Sequence, residues 1–109
     1  MGCNYYLRYN ICDKCGRHDE IHLGKASPGW KFLLQYNNGQ YYTTWEEMKG
    51  WLLRMTLLGA EIVDEYNRRT TLKKFIRLVE SKQSETSRPI GEYYICDRDG
   101  YEFLDGEFY

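Results

Sequence analysis

Net charge is the first thing this chain has little of. Its formal value is −1 at pH 7, which excludes a global field strong enough to gather DNA or an anionic membrane. Long apolar runs are missing too, with no window near the roughly 18 residues that cross a bilayer. No basic-then-apolar leader opens the sequence, so export through a signal peptide is not expected. The Met1-Gly2-Cys3 start suggests acylation, but that motif needs Ser or Thr at the sixth position, where Tyr6 stands. There is no internal repeat, no low-complexity tract, and no Ser-His-Asp or Cys-His constellation. The sequence is therefore not read as that of an enzyme.

What is present fits one folded unit. At 109 residues the chain has the length of a single domain, read as a metal-binding knuckle and loop over 1–30 and an α+β core with a C-terminal hairpin over 31–109. A hydrophobic share of 42% and a charged share of 28% argue against disorder. Aromatics reach 17%, with eleven tyrosines, whose apolar bodies and polar tips suit strands and partner surfaces alike. The near-neutral total hides a gradient: residues 1–84 carry thirteen Lys/Arg against nine Asp/Glu, and residues 85–109 two against seven. The cations gather at Arg68, Arg69, Lys73, Lys74, Arg77 and Lys82. That pattern fits a solvated helix face first and a nucleic-acid contact second.

Periodicity gives the elements. Residues 4–9 read as an aromatic strand leading into a Cys12–Cys15 turn, 17–24 as a short ragged strand, and Lys25 to Gly29 as a loop. Residues 30–36 alternate as a strand closed by Asn37-Asn38-Gly39. Thr44 with Glu47 forms a capping box before a helix whose Trp45, Met48, Leu52 and Met55 share one face. Residues 60–66 read as a strand ahead of a second helix capped by Thr70 or Thr71, with Leu72, Phe75, Ile76 and Val79 as its apolar stripe. A polar linker over 82–89 precedes a hairpin, 92–96 and 101–103, turning near Asp99-Gly100. The sum predicts an α+β fold: a small antiparallel sheet with a zinc-knuckle-like N-terminal turn and two amphipathic helices on one face.

The chemistry concentrates in residues 12–30, CDKCGRHDEIHLGKASPGW. A Cys-x-x-Cys turn presents two thiolates to one tetrahedral ion, and the Gly16 that follows gives such a knuckle its backbone freedom. Four cysteines without an export signal imply a reducing cytosol, where such a pair more often binds metal than forms a structural disulfide. Structural Zn2+ needs four ligands, so two more must come from Cys3, His18, His22 and Cys96. His22 has room to return to the knuckle while His18 is crowded against it. The expected set is Cys12, Cys15, His22 and Cys3. A thiol redox pair at Cys12 and Cys15 is an alternative, weakened because no apolar helix follows the motif.

Gly24-Lys25-Ala26-Ser27 imitates a phosphate loop, but a Walker A motif requires glycine at position 19, which is Asp19, and Pro28-Gly29 breaks the chain afterwards. The structural expectation is that Gly24 and Gly29 bend the chain. Glu46 and Glu47 belong at a helix N-terminus, and Asp64 and Glu65 sit beside Arg68 and Arg69 as a solvated cluster.

Asn4-Tyr5-Tyr6, Cys12-x-x-Cys15-Gly16-Arg17, Asp19-Glu20, His22-Leu23-Gly24-Lys25-Ala26-Ser27 and Gly29-Trp30 with Phe32 resemble a family of small bacteriophage and prophage proteins. The likeness extends to Ile62-Val63-Asp64-Glu65-Tyr66, the helix after it and a closing Gly106-Glu107-Phe108. The resemblance implies expression in the cytoplasm of an infected or lysogenic bacterium, and it favours His22 over His18, because His22 matches the family's histidine before Gly-Lys. Two positions depart from the pattern: Leu34-Gln35-Tyr36 stands where the family often carries a histidine, and Cys3 is not a family position. Small phage proteins commonly bind a host protein and block or redirect it, anti-CRISPR proteins among them. The expected function is thus a zinc-stabilised interaction protein that modulates or inhibits a host protein. A nucleic-acid-binding module using the basic residues of 68–82 is the alternative, and a thiol redox protein the second.

Overall fold

The computed structural model describes residues 2–89 and 94–106. Strand β1 (Cys3–Tyr9) and strand β2 (Asp19–Ala26) form an antiparallel hairpin whose register runs from Cys3 opposite Ala26 to Tyr9 opposite Asp19. Alternation turns Tyr5 and Leu7 toward the core, where Leu7 and Leu23 are fully buried. A bulge between Tyr5 and Tyr6 lets Gly24 face strand β3 (Leu33–Gln35) at close range. A Cβ on Gly24, whose φ is +153°, would collide with the Leu33 carbonyl oxygen and the Phe32 ring. Glycine is there for strand packing, not for a bend. This is why β2 runs on to Ala26 where sequence patterning places a loop from Lys25, and why Gly24-Lys25 is strand rather than anion cradle.

Helix α1 (Trp45–Leu57) begins as its capping signal predicts: Thr44 Oγ1 accepts from the Glu47 amide at 3.2 Å, and the Glu47 carboxylate accepts from Thr43 N and Oγ1 at 2.7 and 2.6 Å. Trp45, Met48, Trp51 and Leu52 are buried. Strands β4 (Glu61–Asp64) and β5 (Arg69–Thr70) follow, with Tyr66 exposed in the turn between them rather than in a strand. Helix α2 (Leu72–Ser81) is capped by Thr71, whose hydroxyl accepts from the Lys74 amide at 3.1 Å, and buries Phe75 and Val79. Strands β6 (Tyr94–Cys96) and β7 (Glu102–Leu104) close the described chain. Their turn docks on α1: Asp97 accepts from the amides of Trp45, Asp99 and Tyr101 at 2.9–3.0 Å. Glu92 and Tyr93 of the expected hairpin, and the closing Glu107-Phe108, lie outside the described residues.

The α+β class is as expected, but the sheet is larger than the sequence suggests. Seven strands run in the order β5-β4-β1-β2-β3-β7-β6. All pairs are antiparallel except β3 with β7. The chain reaches β7 only after α2 and the 82–89 segment, and a connection of that length permits parallel entry beside β3. The strand expected over 30–36 narrows to Leu33–Gln35, with Trp30 left outside it and 38% exposed. Both helices cover one face. The Phe75 ring of α2 packs 5.6 Å from Tyr5 and from Phe32, and Trp51 of α1 lies 5.4 Å from Tyr42, which in turn packs on Phe103. Strands β1 and β2 sit at the centre of the sheet, so residues 3–26 help build the core that sequence reading assigned to 31–109. Among the described residues no helix is long and apolar enough to cross a membrane.

Candidate metal knuckle

The hairpin carries its chemistry at the tip, beyond the Tyr9–Asp19 pair. The Gly16 amide donates to the Cys12 carbonyl at 2.8 Å, the Cys12 amide to the Arg17 carbonyl at 2.8 Å, and Gly16 adopts φ +75°. These bonds fold residues 12–17 into a closed turn that places the Cys12 and Cys15 side chains together. The Cys12 sulfur faces the backbone amides of Cys15, then Lys14, with the Cys15 thiol beside it. Together these lower its pKa from the ordinary 9.0. Amides aimed at a cysteine sulfur favour the thiolate, the form that binds metal. The donor pair and its backbone support fit half of a tetrahedral zinc shell.

The chain does not bring the other expected ligands to this half. Cys3 begins β1 and lies six residues before Tyr9, about 20 Å along the strand at its usual rise. Burial, ahead of any other cause, raises its pKa. Thiolates sharing one zinc stand about 4 Å apart, which Cys3 cannot approach without dismantling β1. His22 is paired with Tyr6, inside the hairpin. Its Nε2 is 2.9 Å from Asn4 Oδ1, so the ring points along the sheet away from the tip, tilted at 32° against Tyr6 with centroids 5.1 Å apart. His18 is at the tip, but its Nδ1 lies 3.1 Å from the Gly16 carbonyl oxygen and its Nε2 4.0 Å from Glu20. Cys96 is on β6, four strands from β1 and roughly 19 Å across the sheet. Among the described residues no three of His, Cys, Asp and Glu are grouped to hold a metal. The expected four-ligand set within one chain thus reduces to Cys12 and Cys15. The reason is register: β2 begins only at Asp19, and His22 lies opposite Tyr6, three pairs inside the Tyr9–Asp19 end of the hairpin.

Other candidate residues have structural duties. Asp64 accepts from the amides of Tyr66 and Arg68 at 2.9 Å and from Arg68 Nε at 2.8 Å, organising the β4–β5 turn. Although burial works against the charged form, the Arg68 backbone and side chain hold the Asp64 pKa below its usual value. Glu65 accepts from the Asn4 amide at 2.6 Å. The basic cluster divides: Arg68 is paired with Asp64 and Arg69 with Glu61, while Lys73, Lys74 and Arg77 stand exposed on α2 without a partner among the described residues.

Sequence reading missed a second surface. Leu53, Leu57 and Leu58, at the end of α1 opposite its buried stripe, are 51, 78 and 84% exposed. The i, i+4 spacing of Leu53 and Leu57, offset from the Trp45-Met48-Leu52 stripe, was the available signal.

No protein-family model, curated protein or solved structure matches this chain.

Proposed function

We propose that this is a non-enzymatic interaction protein that binds another protein through the exposed end of α1, with zinc held at the Cys12–Cys15 turn. The exposed leucines carry the reading. Three large apolar side chains, two near the end of α1 and one at its C-cap, are turned to water, an exposure of the kind a partner covers. Arg54, also exposed and one residue from Leu53, supplies the polar rim common at such interfaces. The likeness to phage proteins supports a partner in the cytoplasm of the bacterial host, and blocking of a host defence protein, such as a CRISPR effector, is the specific form proposed. The test is capture from bacterial lysate with Leu57→Glu/Leu58→Glu as the control. One stoichiometric partner, lost in the variant while its thermal transition is unchanged, is expected. A partner retained by the variant contradicts the assignment of the surface.

A nucleic-acid reading rests on the exposed cations Lys73, Lys74 and Arg77, unpaired among the described residues. It requires binding to single- or double-stranded probes that weakens steeply with salt, and flat or absent binding at low salt removes it.

A further inference from the structure

We propose that Cys12 and Cys15 form half of a zinc site completed by the same two cysteines of a second copy of this chain, so that the metal joins two protomers tip to tip. This rests on the zinc-knuckle reading above and adds the identity of the missing ligands. Zinc in a structural site takes four donors in a tetrahedron. The turn supplies two, side by side and held by backbone hydrogen bonds, and no other His, Cys, Asp or Glu among the described residues joins them. A two-fold axis through the metal presents the same half-site twice and delivers four thiolates.

The shape of the tip allows that approach. The turn lies beyond the last hydrogen-bonded pair of the hairpin, and every residue from Asp13 to Glu20 is exposed. The tip is thus open to solvent and to a second copy. Zinc with four thiolates carries a net −2, and in a pair of chains the four cations of Lys14 and Arg17 are matched by the four carboxylates of Asp13 and Asp19, so the contact rests on the metal and not on the charge around it. Cross-linking at one small point needs no large apolar interface, and it leaves the α1 leucines free for the partner proposed above.

The test uses the full chain, reduced, loaded with zinc and freed of excess metal. Native mass spectrometry should show twice the 13.1 kDa chain mass with one zinc ion per pair of chains, and X-ray absorption should show a sulfur-only shell. Chelation should return metal-free monomers. Cys12→Ser and Cys15→Ser should abolish both zinc and dimer while circular dichroism stays that of the parent, and Cys3→Ser, His18→Ala and His22→Ala should change neither. A monomer holding one zinc, nitrogen donors in the shell, or a dimer that survives chelation each overturns the bridge. Of these, the zinc-loaded monomer leaves the single-chain knuckle standing. Absence of zinc binding overturns both readings, while the leucine surface is judged separately by its own variant.

Discussion

The base and the tip of the β1–β2 hairpin are built on opposite principles. At the base, β1 lies between β2 and β4, Leu7 and Leu23 are fully buried, and Gly24 is fixed by the backbone of β3. The buried positions there are constrained by neighbouring strands and by the helices above them. At the tip, residues 13–20 are exposed, and the Cys12–Arg17 turn is held by its own backbone hydrogen bonds. The contrast separates what makes the fold from what is free to bind. In the proposed arrangement, zinc at the tip would order the turn and recruit a second chain, while the buried core lies apart from it.

That separation breaks or holds by experiment. The largest effect is expected at the base. Phe32, fully buried against Tyr5 and Phe75, should cost about 3–5 kcal/mol as Phe32→Ala, read as a shift in urea midpoint at constant slope. Gly24→Ala should cost about 1–3 kcal/mol, since the added methyl meets backbone and an aromatic ring with no free space to enter. A neutral Gly24→Ala would mean that β2 and β3 are less tightly joined than described. At the tip, Cys12→Ser in metal-free protein should move stability by no more than about 0.5 kcal/mol, the range of surface changes. A loss comparable to that of Phe32→Ala would show that the knuckle is part of the core after all.

The thiols sharpen the same contrast chemically. The pKa of Cys12 is lowered by the Cys15 and Lys14 amides, whereas burial raises those of Cys3 and Cys96. Near neutral pH, Cys12 therefore carries the larger thiolate fraction and should be alkylated ahead of both, and zinc should suppress its reaction. Because burial raises the pKa of Cys3 and Cys96, they ionise only above the ordinary thiol value of 9.0, and the gap should narrow there. Equal rates at neutral pH, followed by mass spectrometry of the labelled peptides, would contradict the turn geometry.

Local signals in the sequence were readable and long-range ones were not. Thr44 with Glu47, Thr71, and the two apolar stripes mark α1 and α2 because caps and helical periodicity act within a few residues. The Cys12–Gly16 turn is legible for the same reason. Gly24, by contrast, reads as a bend until β3 is placed beside it, because its constraint comes from residues eight to ten positions away. β5, two residues long, has no periodicity to detect, and the parallel β3–β7 pair joins strands separated by both helices. The expected ligands lie apart in the structure for the same reason. Choosing His22 and Cys3 required the strand register, which pairs His22 with Tyr6 and Cys3 with Ala26 and so puts both on the sheet rather than at the tip.

Native-state hydrogen exchange with and without zinc tests the division between tip and base most directly. The account predicts that zinc slows exchange at the amides of residues 12–17 and leaves Leu7, Leu23 and Phe32 unchanged. Added protection at those core amides, or none in the turn, would contradict it.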